Sequence, residues 1–511
     1  MHLYGGIKVF SREEMYRIHC AALQVLQDVG VEVHLPEPML KRLAARGLRV
    51  DLATRRVRFP TGPVLETIQQ LSGAPSPEIA SEGTAKPTAP QRIPTRLTAS
   101  VGAYHGFVYD VDQGRMRPAT HQDMYDFIKL KRHLPDTDAS SAGICPQDVP
   151  QEVVAVHAAA VAVKYCANPS PPDVNGPEDL LWVERVMQAA GAWEPGRHHV
   201  VSIYPISPLK LDGRGADMMA FQAARGDLAF VLGMVIPGAS SPATLVGQEV
   251  IVLAEEFGFN TVYRLLMDPP NDRFPPRSIG DDVCIMDMRR GVYVLSSPEV
   301  SLLRLATQQM AGEFYKFPGR ADHGIRFFPD AQEPGIQAAQ EGALMAMGDL
   351  CQGVYSFEEE VACQVGILGT LSGNLSVCPE EAVIDHEMFQ YLQRFVRGMR
   401  VDEDTLALDL IREVGPGGSF LATEHTARHY RQESTLCIKE MWFPKLWHRG
   451  AWDGWVADGR HSPLDLARER VASYRKEPLE PVLDDAHVRD VERVVREAEI
   501  ALLGRTTGVL S

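Results

Sequence analysis

Short apolar runs alternate with longer helical patterns through the middle of the chain, from about residue 107 to residue 355. Residues 227–249, DLAFVLGMVIPGASSPATLVGQE, illustrate the repeating unit. They predict a buried strand (228–235), a turn rich in Gly, Pro and Ser, and a helix that begins at Ser241-Pro242. In parallel α/β folds such turns lie at the carboxyl ends of the strands, where ligands bind.

Repetition of this unit predicts a parallel sheet. We expect eight strands, the number that closes a (β/α)8 TIM barrel. The alternative is an open doubly wound sheet, but no G-x-G-x-x-G motif follows the first strand, so nothing favours a dinucleotide-binding fold. The predicted strands lie near residues 107–111, 139–145, 173–175, 200–204, 228–235, 261–267, 314–317 and 350–355.

The flanking regions differ from this repeat. Ser11 and Glu14 form an S-x-x-E capping box, and helical spacing follows until Gly30. Residues 1–97 are predicted to form an N-terminal helical cap and an extended linker, because residues 73–96 are rich in Pro, Ser, Thr and Ala. Residues 98–400 are assigned to the barrel. Residues 401–511 are predicted to be a C-terminal helical region packed on the barrel, with a helix beginning at Ser462-Pro463.

The charge balance narrows the range of partners. The chain has 51 Lys plus Arg against 67 Asp plus Glu, a net charge of -16, which disfavours nucleic acids and anionic membrane surfaces. No apolar run approaches the roughly 18–20 residues of a bilayer span, and no basic stretch with a long apolar run opens the chain. We therefore expect a cytoplasmic protein, and the helical segments at both ends favour a homo-oligomer.

Motifs for built-in metal sites and covalent nucleophiles are absent from the sequence. There is no H-x-H, H-E-x-x-H or H-x-C pattern, no pair of neighbouring cysteines and no G-x-S-x-G. The eight cysteines are scattered, which is typical of reduced and mostly buried thiols. We therefore predict no metal, and the residues alone assign no catalytic side chain.

Polar and aromatic residues do cluster after three predicted strands. Tyr204 and Ser207 follow the fourth strand, Asp322 and His323 the seventh, and Tyr355 and Phe357 the eighth. In a barrel these positions converge on one face, so we predict that they bind substrate. Aromatic rings with nearby carboxylates suit a quaternary ammonium, which is attracted to ring faces without a hydrogen bond.

The turn of the fifth repeat is a second candidate. Gly238, Ser240 and Ser241 are small residues that open a helix. They could cradle a ligand carboxylate on helix N-terminal amides, or leave clearance for a large partner group. An ordinary tight turn is the equally weighted alternative.

The chain resembles the trimethylamine methyltransferase family of corrinoid-dependent methyltransferases over nearly its whole length. The similar segments include IHCAALQVLQDVGVEV, YPISPLKL, VIPGASSPATLVGQE and EAVIDHEM, and above all GPGGSFLATEHTARHYRQE with WFPKLWHR. The resemblance implies a TIM barrel that transfers an N-methyl group to Co(I) of a corrinoid protein. No D-x-H-x-x-G cobalamin motif is present, so this chain is expected to bind no cofactor itself and to receive the corrinoid on a partner protein.

The resemblance also bears on the substrate. Members named for trimethylamine carry pyrrolysine, whereas residues 350–374 of this chain are ordinary amino acids. The chain therefore resembles the pyrrolysine-free, glycine betaine methyltransferase-like branch, which implies a quaternary amine such as glycine betaine, carnitine or proline betaine, with trimethylamine still possible. Two alternatives stay open: a non-catalytic betaine-binding or regulatory barrel, and a metal-dependent barrel hydrolase or lyase.

Overall fold

The computed structural model describes residues 7–72, 96–138, 140–193, 201–267, 283–317, 325–350, 362–397, 399, 401–430 and 442–506. Within these residues the protein is a mixed α/β structure, as the sequence predicts. The helices are α1 (Arg12–Asp28), α2 (Glu37–Ala45), α3 (Thr61–Ser72), α4 (His121–His133), α5 (Val154–Tyr165), α6 (Pro177–Ala189), α7 (Gly213–Arg225), α8 (Leu245–Leu266), α9 (Pro298–Gln309), α10 (Ile336–Leu350), α11 (Pro379–Arg397), α12 (Glu403–Leu406), α13 (Leu408–Val414), α14 (Glu424–Tyr430), α15 (Trp452–Ala457), α16 (Pro463–Lys476) and α17 (Asp485–Thr506).

The strands are short and fall into several sheets. They are β1 (Val31–Val33), β2 (Arg49–Asp51), β3 (Arg56–Arg58), β4 (Arg96–Val101), β5 (Phe107–Asp110), β6 (Arg115–Pro118), β7 (Thr137–Asp138), β8 (Val201–Ile203), β9 (Lys210–Leu211), β10 (Ala229–Val231), β11 (Ile285–Asp287), β12 (Val292–Val294), β13 (Ile325–Arg326), β14 (Ala362–Leu368), β15 (Thr370–Leu371) and β16 (Ser376–Val377).

In two of the sheets every pairing is parallel. One sheet has the order β13-β14-β4-β7, and all three of its pairings are parallel. In a second sheet β8 and β10 pair in parallel, with Ala229 opposite Val201. The pairings among the described residues leave these groups as separate sheets, so closure into an eight-stranded barrel stays a prediction.

The N-terminal helix begins where the sequence predicts. Ser11 Oγ accepts a hydrogen bond from the backbone N–H of Glu14, and a Glu14 carboxylate oxygen accepts from the backbone N–H of Ser11. The helix is followed by Gly30, whose φ is +73° and whose missing Cβ would lie 2.2 Å from the Val57 carbonyl oxygen. Only glycine tolerates both the positive φ and the close carbonyl oxygen, so the backbone requires glycine where the helix ends.

Helix α8 lies at the centre of the largest core. Every residue from Val252 to Leu266 is buried, and α1, α2, α3, α7 and α9 pack around it. Near its start, Glu249 is buried and accepts a hydrogen bond from Thr307 Oγ1 at 2.8 Å. Burial raises the pKa of the Glu249 carboxyl group to about 7.

Two predicted strands are wrong because one belongs to a buried helix and the other directly follows a helical segment. Residues 261–266 form the last turns of α8, and residues 314–317 lie at the end of a π-helical turn (Met310–Phe314) that continues α9. Tyr315 and Phe317 are each 1% exposed. A helix that is buried on all sides loses its amphipathic period, so its apolar run is indistinguishable from a buried strand.

The first repeat also differs from the prediction. Phe107–Asp110 is a strand, but it lies in another sheet, where it pairs antiparallel with β6 and parallel with β16. The strand of this repeat that pairs with β14 is β4, which begins at Arg96 within the segment predicted as linker. Its sequence, RLTASV, carries small and hydroxylated residues that give a weak apolar signal.

The remaining predicted strands agree only in part. Residues 173–175 form no strand, while the second repeat contributes β7 at 137–138 and a single parallel bridge between Ile144 and His105. Leu350 ends α10, and 351–355 lie outside the described residues; the strand of the eighth repeat is β14.

The C-terminal helices pack on the remainder of the protein. Ser462 caps α16 as predicted, accepting from the backbone N–H of Asp465, and α16 packs against α4 and α11. Helix α17 packs against α5 and α6, where Val491 and Ala498 are fully buried. No helix among the described residues has the length and apolar character needed to span a membrane.

Candidate functional site

A cavity of about 200 Å³ lies at the carboxyl ends of parallel strands. Met234 and Ile236 follow β10, Phe328 follows β13, and Asn374 follows β14 by a short excursion through β15. This is the position that βα repeats predict for a ligand site. The cavity wall is completed by residues that are mostly apolar: Val283, Cys284, Tyr293, Leu295, Val300, Arg304, Met345 and Gly373.

Tyr293 forms an aromatic part of this wall. It lies on β12, the second strand of an antiparallel hairpin with β11. Its hydroxyl donates a hydrogen bond to the carbonyl of Gly373 at 2.9 Å. Gly373 has a φ of +58°, and an added Cβ there would lie 3.4 Å from the tyrosine ring. A side chain there would be strained by the positive φ, which is why glycine suits this position beside the ring.

Asp330 anchors the segment that follows the hairpin. One carboxylate oxygen accepts from the backbone N–H of Leu295 at 3.0 Å, and the other accepts from the backbone N–H and hydroxyl of Ser296 at 2.9 and 3.0 Å. Hydrogen bonds to a carboxylate are among the stronger ones in proteins. One side chain after β13 therefore holds in place the chain that carries Leu295 into the cavity.

His105 and Asn374 form a second link at this end of the sheet. His105 is 1% exposed; its Nδ1 accepts from the backbone N–H of Ala103 at 3.0 Å, and its Nε2 lies 2.9 Å from Asn374 Oδ1. Because Nδ1 accepts, the proton is on Nε2 and the ring is neutral. Burial lowers the pKa of His105 to about 4, consistent with this neutral form.

Arg304 is the cationic residue of the cavity wall. Its Nε and Nη2 atoms bind the two carboxylate oxygens of Asp349 at 2.8 and 3.1 Å, and both side chains are buried. Asp349 also accepts from the backbone N–H of Arg326 at 2.8 Å. This two-point pairing fixes the plane of the guanidinium group.

Two residues predicted to bind substrate lie on the loop after β8, outside the set that lines the cavity. Tyr204 is 47% exposed. The Ser207 hydroxyl donates to one carboxylate oxygen of Glu255 at 2.7 Å, and the backbone N–H of Leu209 donates to the other at 2.6 Å. Ser207 therefore helps to fix this loop on α8.

Gly238, Ser240 and Ser241 form a compact turn after β10. The backbone N–H groups of Ala239, Ser240 and Ser241 are all directed at the carbonyl of Ile236, at 2.8–3.1 Å. The Ser240 hydroxyl accepts from the backbone N–H of Ile236 at 2.8 Å. A ligand carboxylate would have to replace these bonds, so the cradle stays a prediction that the geometry of the turn does not favour.

The other four residues predicted to bind substrate, Asp322, His323, Tyr355 and Phe357, lie outside the described residues. Their convergence on the cavity stays a prediction.

Most residues of the cavity wall were not predicted from the sequence. Tyr293 lies in 284–295, CIMDMRRGVYVL, where a polar turn separates two apolar stretches. That arrangement is a hairpin signal that a search for βα repeats passes over. Asn374 lies in the Gly-rich stretch after the eighth strand, where a φ of +69° marks a turn residue.

The fold is that of an α/β protein with a small cavity at the ends of its parallel strands. The sequence model described as Trimethylamine methyltransferase (MTTB) matches residues 2–501. The chain therefore belongs to the trimethylamine methyltransferase family and is a methyltransferase, which confirms the resemblance deduced from its sequence.

Individual relatives are distant but cover nearly the whole chain. Trimethylamine methyltransferase MttB of Desulfitobacterium hafniense (strain DSM 10664 / DCB-2) is 26% identical over 490 residues, covering 93% of this chain and 91% of the relative. Glycine betaine methyltransferase of Desulfitobacterium hafniense (strain Y51) is 26% identical over 489 residues, covering 93% and 95%. A crystal structure of the Methanosarcina barkeri monomethylamine methyltransferase (MtmB) aligns over 97% of this chain and 95% of its own, with 13% identity and a TM-score of 0.40.

Proposed function

We propose that this protein removes a methyl group from a quaternary or related methylated amine and transfers it to Co(I) of a partner corrinoid protein. The observation that carries the proposal is the small, mostly apolar cavity at the carboxyl ends of the parallel strands, in a chain of this family. Its volume of about 200 Å³ suits a small amine better than a nucleotide-sized ligand.

The composition of the wall favours an ammonium group. Tyr293 and Phe328 supply aromatic rings, and Met234 and Met345 supply polarisable sulfur. Ring faces attract a cation that has no N–H to donate, and the attraction strengthens in a dry site. A quaternary N-methyl group needs such surroundings, because it can make no hydrogen bonds of its own.

The chemistry requires positioning more than acid or base catalysis. The C–N bond breaks with its electron pair going to nitrogen, so the leaving group is a neutral amine, while Co(I) supplies the electron pair of the new Co–C bond. The protein must hold the methyl carbon in line with the acceptor and exclude water. This explains why the sequence offers no motif for a nucleophile.

Arg304 supports a substrate that also carries a carboxylate. Its charge is already paired with Asp349, so its guanidinium group would offer the anionic end of a zwitterion such as glycine betaine, carnitine or proline betaine a directional contact rather than a net positive charge. A plain amine such as trimethylamine gains nothing from it. A betaine-type substrate is therefore the one that we propose to test first.

We also infer that the parallel strands belong to a TIM barrel within residues 98–400, covered by the cap of 1–97 and the helical region of 401–511. The support is the parallel pairing of β14, from the last repeat, with β4, from the first. In a (β/α)8 fold that pairing is the one that closes the barrel. The corrinoid protein would then dock in the cytoplasm over the strand ends, where Tyr204 and the turn at Gly238 form part of the rim.

The test is a paired measurement of binding and methyl transfer. The purified protein is titrated calorimetrically with glycine betaine, carnitine, proline betaine, trimethylamine and choline, and each compound is then incubated with cob(I)alamin without oxygen. We expect at least one betaine to bind and to convert cob(I)alamin to methylcobalamin, faster than choline does. Binding without transfer would identify a non-catalytic binding protein, and neither binding nor transfer would refute the proposal.

A further inference from the structure

A cluster of metal-binding side chains lies away from the cavity, in the C-terminal part of the protein. Asp404 belongs to the four-residue helix α12, and His425 and His429 belong to α14. None of the three lines the cavity. The two histidines come from the segment GPGGSFLATEHTARHYRQE, which the proposed methyl transfer leaves without a role.

The spacing of the histidines places both rings on one face of α14. Residues four apart are neighbours on a helix surface, and the two ring centroids lie 4.2 Å apart. The same i, i+4 spacing presents two histidines to zinc in helical metal sites. The pattern here is H-x-x-x-H without the glutamate of metalloproteases, so a search for H-E-x-x-H passes over it.

The third group approaches from α12. One ring nitrogen from each histidine and one carboxylate oxygen of Asp404 all lie within 4.8 Å of one another. Around a tetrahedral zinc ion with bonds of about 2.0–2.1 Å, neighbouring ligand atoms are about 3.3 Å apart. The approach of Asp404 Oδ2 to His429 Nε2, at 3.4 Å, already has this spacing.

The polar contacts of the cluster point to a ligand. Among the described residues, the buried Nε2 of His429 makes no hydrogen bond, even though the Asp404 carboxylate is its neighbour. A buried polar atom of this kind is normally satisfied, and a bridging ion would satisfy it. Arg428 pairs with the other carboxylate oxygen, Oδ1, and so orients Asp404 toward the two rings.

We propose that Asp404, His425 and His429 bind one divalent transition-metal ion of the zinc type. Two imidazole nitrogens and one carboxylate oxygen are a donor set that suits Zn²⁺, with water completing a tetrahedron. His425 Nε2 lies 3.1 Å from the Asp404 carbonyl oxygen, a contact that keeps this ring beside Asp404. The ion ties α12 to α14 and has a structural role, separate from methyl transfer.

The experiment uses the full-length protein after dialysis against a chelator. Zinc is titrated calorimetrically, and bound metal is counted by elemental analysis. We expect one equivalent to bind and to raise the melting temperature. His429→Asn and Asp404→Asn should each weaken zinc binding at least about tenfold, as loss of a ligand does. Co²⁺ should give the absorption spectrum of a low-coordinate site in the unmutated protein and not in these two variants.

The matched control is His487→Asn. His487 also pairs with an aspartate, Asp484, at 2.9 Å, but it belongs to no group of three ligands among the described residues. This variant should bind zinc as tightly as the unmutated protein. Circular dichroism verifies that each variant is folded, and His425→Gln replaces any ligand variant that fails to fold.

Two results would overturn the proposal. One is an unmutated protein that binds no zinc in the titration. The other is a set of folded ligand variants that bind zinc as tightly as His487→Asn, which would place the ion among other side chains of the chain.

Discussion

The imidazole of His105 donates a hydrogen bond to the side-chain oxygen of Asn374 at 2.9 Å. This bond joins the loop after β4 to the turn between β15 and β16 that follows β14, and β4 and β14 pair in parallel. Asn374 also lines the cavity. The cavity wall is thus tied to the edge where the first and last strands of the repeat pair.

Removing this bond should destabilise the protein. Asn374→Gly keeps the left-handed backbone (φ +69°) but leaves the buried Nε2–H of His105 without its acceptor, which costs about 1–3 kcal/mol. Urea denaturation measures the change in the free energy of unfolding. Asn374→Asp keeps an acceptor and should lose less stability. Equal losses of unfolding free energy in the two variants would show that the bond contributes nothing.

Tyr293 should contribute to substrate binding through its ring. Tyr293→Ala should weaken calorimetric binding of the best betaine by about 0.5–2 kcal/mol, because the aromatic face is lost. Tyr293→Phe keeps the face and loses only the bond to Gly373, so it should bind nearly as the unmutated protein does. Tyr16, an exposed tyrosine on α1, gives the control variant Tyr16→Ala. Weaker binding in Tyr293→Phe than in Tyr293→Ala would contradict the assignment.

Asp330 should be needed for an ordered cavity wall. Asp330→Ala removes the acceptor of two backbone N–H groups and one hydroxyl, and we expect a loss of about 2–3 kcal/mol of stability with weaker substrate binding. Asp409→Ala is the control, since the Asp409 side chain is 97% exposed and pairs only locally with Arg412. If the two variants unfold at the same urea concentration, the anchoring role of Asp330 is wrong.

Glu249 should make stability depend on pH. The unfolded chain releases this proton near pH 4.5, whereas burial holds it in the folded protein to about pH 7. The contribution of this carboxyl group to the free energy of unfolding is therefore full below pH 4.5. It is lost as the pH rises through 7, a decrease of up to about 3 kcal/mol.

Glu249→Gln has no proton to lose at this position. The difference in unfolding free energy between this variant and the unmutated protein should shift in favour of the variant between pH 4.5 and 7, and then stay level. Urea denaturation across this pH range gives the difference, and a difference that does not change with pH would rule out burial of the protonated carboxyl group.

Helix starts and ends were predicted from the sequence more accurately than the arrangement of strands. The capping box at Ser11, the stop at Gly30 and the helix start at Ser462 are short-range patterns, and all three are confirmed. The strand expected at 261–267 is instead the end of α8, because an apolar run that is buried on every side has no period to separate helix from strand.

The predicted site stays a prediction, and the cavity differs from it in the residues that line the wall. The expectation that ligand-binding groups follow parallel strands agrees with the location of the cavity. Yet Ser207 binds Glu255 rather than lining the cavity, and Tyr293 comes from an inserted hairpin. A periodic pattern identifies which segments are strands, but not which side chain a three-dimensional turn directs into a cavity.

The most direct test of the account is the stoichiometry of the products. The protein is incubated anaerobically with glycine betaine and cob(I)alamin, and both products are quantified by mass spectrometry and absorbance. We predict equal amounts of dimethylglycine and methylcobalamin, with a slower rate in Tyr293→Ala. Dimethylglycine without methylcobalamin, or consumption of neither reactant across the panel of amines, would contradict the claim that this cavity transfers methyl groups to cobalt.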